Sequence, residues 1–174
     1  MTVTKPDLSK VIPWSEFLTL EVEDPEEREY DEEYYSRARS FVESHSFCRE
    51  IKETYIGMFY GKIFALFLFK IVPTSDVREW VWTVVGDIPS AVLPIAVGQH
   101  PAMALDVYLG EMQRWVDAVD EGKSVDELFP VNVPPTKEWA DELRWRLEFI
   151  GKNILMAEYR NELGYDPDGE EDKK

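Results

Sequence analysis

The run Glu79-Trp80-Val81-Trp82-Thr83-Val84-Val85, followed by Gly86-Asp87-Ile88-Pro89, constrains the fold of this chain more than any other stretch. Aromatic and β-branched residues favour a pleated strand. Neither alternate set is polar: Trp80, Trp82 and Val84 share one face, and Val81, Thr83 and Val85 share the other. A strand apolar on both faces is expected to be covered on both. Gly86 supplies the backbone freedom to leave the strand, and Pro89 has no amide hydrogen with which to continue a ladder. The strand is therefore expected to end near Val85. Asp87 then sits where turns favour a short carboxylate that bonds to nearby backbone, which is its first reading, with a catalytic acid as the second.

Upstream, residues 63–72 read IFALFLFKIV and stop at Pro73. A membrane-spanning helix needs about 20 apolar residues, so this shorter, Lys-flanked run is predicted to be a buried strand. The turn-rich link between Pro73 and Arg78 is short enough to make the two strands an antiparallel pair. Residues 91–97 are a candidate third strand.

Helical signals lie on both sides of these strands. Asp24-Pro25-Glu26-Glu27 resembles a capped start, and the spacing of Tyr30, Tyr34, Ala38, Phe41 and Val42 predicts a helix to about Ser44. A second helical piece is expected over residues 47–59. Pro101 opens a further helix with Ala104, Leu105, Tyr108, Met112, Trp115, Val116 and Val119 on one face and Gly122 as its terminator. Ser124 to Glu127 reads as a capping box for one short turn over residues 125–129. The prolines from Pro130 to Pro135 predict a rigid extended connector, within which Asn132 is expected to anchor to the core or to offer an edge to a partner. Thr136 caps a last helix with Trp139, Leu143, Leu147, Ile150 and Ile154 as its inward stripe.

The expectation is thus one α+β domain over residues 1–165: a small antiparallel sheet covered by three to four helices from both ends of the chain. With 174 residues, 44% of them hydrophobic, and six Trp, nine Phe and eight Tyr, the chain can build one aromatic-rich core. Residues 166–174 read as a disordered acidic tail. Cys48 is the single cysteine, which rules out an intrachain disulfide, and the first residues show no apolar signal region. A cytoplasmic bacterial protein is the expectation.

The segment from Trp80 to about Leu155 resembles a family of small bacterial proteins of unknown function. It carries a Trp-rich strand, the Gly86-Asp87-Ile88-Pro89 turn, Met112-Gln113-Arg114-Trp115-Val116 in a helix, and Pro130-Val131-Asn132-Val133-Pro134-Pro135-Thr136 before a final helix. The resemblance implies a fold. It implies no activity, cofactor or catalytic residue.

Function has to be read from side chains and charge. No phosphate-binding loop, nucleophile–base motif or four-ligand metal pattern is present. His45 and Cys48, three residues apart, supply two ligands where a structural zinc site takes four, so neither a metal nor a cofactor is expected, and a buried free thiol is the plainer reading of Cys48. His100 is the one imidazole that could converge with Asp87 at the end of the sheet, which would suit a hydrolase or small-ligand site, or it could simply shape a helix start. Net charge is −16, from 35 acidic and 19 basic residues. Such a surface disfavours direct contact with nucleic acids and anionic membranes. It suits a basic protein partner, as in an immunity protein or a nucleic-acid mimic, with Glu26, Glu29 and Glu33 as candidate binding residues. A homodimeric structural protein, with exposed aromatics as its self-interface, is the third reading.

Overall fold

Five strands pair in the order in which the chain makes them, each antiparallel to its neighbours: β1 (Ile12–Pro13), β2 (Cys48–Tyr60), β3 (Phe64–Pro73), β4 (Trp80–Gly86) and β5 (Ala91–Pro94). They come from a computed structural model that describes residues 5–75 and 78–163. The acidic tail over residues 166–174 lies outside the described residues.

β3 and β4 pair in unbroken register from Phe64 opposite Gly86 to Lys70 opposite Trp80. Strand geometry sends successive side chains to opposite faces, and both sets are buried here. Phe64, Leu66 and Leu68 of β3 join Trp80, Trp82 and Val84 of β4 in one cluster with α3 (Pro101–Asp120) and α4 (Lys137–Ile150). Ala65, Phe67, Phe69, Val81 and Val85 meet Trp14 of α1 (Trp14–Phe17) and Tyr34, Ala38 and Val42 of α2 (Asp31–Glu43) on the other face. The result is a three-layer α+β domain with N-terminal helices on one side of the sheet and C-terminal helices on the other. Burying each large apolar side chain contributes about 1.5–3 kcal/mol, so the doubly covered β3–β4 pair is the centre of stability.

Four predicted elements differ. The candidate strand over residues 91–97 stops at Pro94, and Ile95–Val97 form a 3₁₀ turn. The stretch expected to be helical over residues 47–59 forms β2, Cys48–Tyr60, instead. Its register against β3 shifts between Cys48 and Glu50, Ile51 and Glu53, and Ile56 and Met58, and each shift spoils the period-two pattern that would have marked a strand. Ile51 and Ile56, an odd number of residues apart, consequently share one face, whereas Met58 packs on the opposite one. The helix expected from Asp24 is split: Asp24 caps a 3₁₀ turn, Pro25–Arg28, by accepting from the Glu26 amide at 2.9 Å, and α2 begins only at Asp31. Residues 125–129 make a turn without a helix, in which Ser124 Oγ accepts from the Asp126 amide at 3.2 Å.

The ends of α3 are as the sequence implies. Pro101 occupies its first turn. Beyond its last turn Gly122, at φ +68°, donates to the Val119 carbonyl while Lys123 donates to that of Ala118, a pair of bonds that only a left-handed residue permits. The connector bends at residues 132–133; its valines, Val131 and Val133, pack against the core, and Asn132 is exposed. After α4 the helix runs through a π turn, Gly151–Leu155, into α5 (Met156–Leu163), and consecutive residues Ile154 and Leu155 are both buried there. No helix among the described residues is long and apolar enough to cross a membrane.

Candidate functional site

The corner after β4 is built around Gly86. Its φ is +139°, and a Cβ there would lie 2.5 Å from Phe64 Cα and 2.6 Å from the Ile63 carbonyl oxygen. The close approach lets the Asp87 amide donate to that carbonyl at 2.9 Å. Ile88 turns into the core, and the Pro89 carbonyl accepts the Tyr108 hydroxyl at 2.6 Å. With both flanking residues held, Asp87 points outward, its side chain 69% exposed.

Three hollows meet at Asp87. The largest, a cleft of about 840 Å³, lies between the β2–β3 hairpin turn (Lys62, Ile63), the corner (Asp87, Ile88) and α4 (Asp141, Glu142, Trp145, Arg146, Phe149). A second, of about 300 Å³, runs from Arg37 and Ser90 past Asn132 to Trp139 and Leu143. The third, of about 350 Å³, is bounded by Tyr30, Glu33, Tyr34, Arg37 and Lys62.

Charge in this region is interleaved. Arg146 reaches Asp87 Oδ2 with Nε at 3.2 Å and Glu142 Oε2 with Nη1 at 3.5 Å. Arg37 donates to the Gly86 carbonyl at 3.1 Å, pairs with Glu33 at 3.7 Å and lies over the Tyr34 ring. Burial pushes the Tyr34 hydroxyl up to about 12, so it stays protonated at neutral pH.

The structure does not bring Asp87 and His100 together. Asp87 faces Arg146. His100 stands at the start of α3 without capping it, with Nδ1 3.8 Å from Asp7 Oδ2. A hydrolase or ligand site founded on their meeting gains no support from this geometry. Glu26, Glu29 and Glu33 are all exposed but span the 3₁₀ turn, the link after it and the first turn of α2. His45 has Nδ1 2.7 Å from the Phe41 carbonyl oxygen, and the Cys48 thiol is raised by burial first and by the Glu43 charge second. Such a thiol is a poor nucleophile at neutral pH. Among the described residues no group of three or more His, Cys, Asp and Glu side chains is placed to hold a metal ion.

What sequence reasoning missed is the set of exposed aromatics on α4. Trp139, assigned to the inward stripe, is 43% exposed, and it is accompanied by Trp145 at 68% and Phe149 at 39%. Trp145 and Phe149 stack with centroids 6.0 Å apart. The signal was present: Trp145 falls between Leu143 and Leu147, on the side of the helix that otherwise carries charge.

A second polar cluster docks α5. The Glu158 carboxylate accepts the Tyr60 hydroxyl, Asp106 accepts that of Tyr159 at 2.7 Å, and Glu162 accepts the Ala102 amide in the first turn of α3 at 3.0 Å. Burial raises Glu162 to about 7, against the smaller lowering effect of that amide.

No protein-family model, no curated protein and no solved structure matches this chain. The function has to be argued from the site.

Proposed function

We propose that this protein is an acidic interaction domain that binds a basic protein partner, as an immunity protein or a nucleic-acid mimic does. The observation that carries the reading is the set of exposed aromatics on α4, Trp145 stacked on Phe149 with Trp139 over the adjoining hollow, among the exposed carboxylates of Glu138, Asp141, Glu142 and Glu148. Tryptophan anchors that become buried on association supply much of the binding energy of protein interfaces, and single-sign surface charge speeds encounter with an opposite partner. A net charge of −16 sets that sign. Glu26, Glu29 and Glu33, all exposed, extend the negative field to the α2 side of the molecule.

The test uses the full chain and a Trp145→Ser/Phe149→Ser double variant in parallel pull-downs from the source organism's lysate at low and high salt. A basic protein retained by the wild type, released by salt and lost with the variant is expected. Recovery of only neutral or acidic proteins, or equal recovery by the variant, overturns the reading.

A further inference from the structure

We infer that the cleft beneath Trp145 reads arginine: it takes the guanidinium group of a partner's exposed arginine, which displaces the protein's own Arg146. This rests on the interaction reading above and names the group recognised.

The cleft already holds one guanidinium. Arg146 bridges two carboxylates from different elements, Asp87 at the β4 corner and Glu142 on α4, so their separation suits a planar fork that donates from two nitrogens. The bridge is loose, at 3.2 and 3.5 Å, and the carboxylates are 69% and 58% exposed. Exposed pairs of this kind are weak and exchange readily. Beside them stands an aromatic wall, Trp145 stacked on Phe149 at an interplanar angle of 21°. A guanidinium stacks on such a face, which a lysine ammonium does less well.

The charge balance selects a cation. Asp87, Asp141 and Glu142 line the cleft with Lys62 and Arg146, and Asp141 is already engaged by Arg144 at 2.6 Å and Lys137 at 3.8 Å. Once Arg146 swings away, the two carboxylates it held, Asp87 and Glu142, face one lysine. The volume of about 840 Å³ exceeds what a guanidinium needs, leaving room for the arginine stem along Ile63, Ile88 and Trp145.

The experiment titrates the ¹⁵N-labelled full chain at low salt with three capped peptides, Gly-Arg-Gly-Arg-Gly and its lysine and glutamate counterparts. The readout is the Trp145 indole N–H resonance, assigned with Trp145→Phe. The arginine peptide is expected to shift that resonance and to bind about fivefold more tightly than the lysine peptide. Arg146→Met is expected to tighten binding by about threefold, because the competing cation is gone, and Glu142→Gln to weaken it by a similar factor. Equal binding of arginine and lysine peptides, weaker binding by Arg146→Met, or a Trp145 shift driven by the glutamate peptide overturns the assignment. A basic partner captured in the pull-down together with a silent Trp145 resonance sinks the cleft alone. An arginine-specific shift without any salt-sensitive partner sinks the interaction reading and leaves an arginine site.

Discussion

Tyr108, buried in the middle of α3, donates its hydroxyl to the carbonyl of Pro89 at 2.6 Å and so ties the corner after β4 to the helix layer beneath it. Trp82 makes a second such tie, from its indole nitrogen to the Gly98 carbonyl at 2.9 Å. Burial drives the Tyr108 hydroxyl well above its ordinary range, so it is a neutral donor at neutral pH. Tyr108→Phe keeps the ring packing and strands the carbonyl. It is expected to cost about 1–3 kcal/mol, read as a lower urea midpoint with an unchanged slope.

Gly86→Ala should be far more damaging. At φ +139° the added methyl would press on Phe64 Cα and the Ile63 carbonyl, both backbone and both unable to yield without breaking the β3–β4 register. A loss of more than about 3 kcal/mol is expected from strain and clash together, measured by thermal unfolding. A variant within 1 °C of the wild-type Tm would show that the corner is not locked.

Thr83 offers the opposite sign. Its side chain is fully buried in β4, and its hydroxyl oxygen finds no hydrogen-bond partner among the described residues. Replacing an unpaired buried hydroxyl with a methyl of the same shape removes a desolvation cost, so Thr83→Val is expected to stabilise by about 1 kcal/mol. Chemical denaturation decides it, and a destabilised variant would reveal a hidden partner.

Docking of α5 should depend on pH through Glu162. Burial raises its carboxyl from 4.5 to about 7, Glu158 adds to the rise, and the Ala102 amide and Lys10 oppose it. In the window between those two values the folded state holds a proton that the unfolded chain has released, so stability falls as pH rises through it. Protection factors for amide exchange in α5, which are corrected for the intrinsic pH dependence of exchange, should therefore be higher at pH 5 than at pH 8, and Glu162→Gln should flatten the difference. A pH response unchanged in that variant would assign it to another group.

Much of the fold was legible because β3 and β4 are apolar on both faces, which leaves a buried strand as their only economical state. The caps of α3 were legible for an equally local reason, since Pro101 and Gly122 act on their own backbone. β2 was not legible. Its three register shifts put Ile51 and Ile56 on one face and Met58 on the other, and a pattern broken that often carries neither the strand period nor the helical one. Asp24 was read correctly as a cap and wrongly as the cap of a long helix, because its bond to the Glu26 amide serves a 3₁₀ turn as well as an α-helix.

The candidate site divides in the same way. Asp87 was visible as a turn residue, but its carboxylate was expected to bond nearby backbone and instead points outward to Arg146. That it would face Arg146, 59 residues along the chain, and not His100, was decided by where α4 lies across the corner.

By itself, the sequence determined the doubly buried strand pair, the glycine corner, the ends of α3 and the strong negative charge, because each follows from the conformational limits or composition of neighbouring residues. Only the tertiary structure decided which aromatics stay outside. Trp139 and Trp145 are exposed because the side of α4 that meets α3 and the core is already taken by Leu143, Leu147 and Ile150, and a helix can turn only one side toward a core.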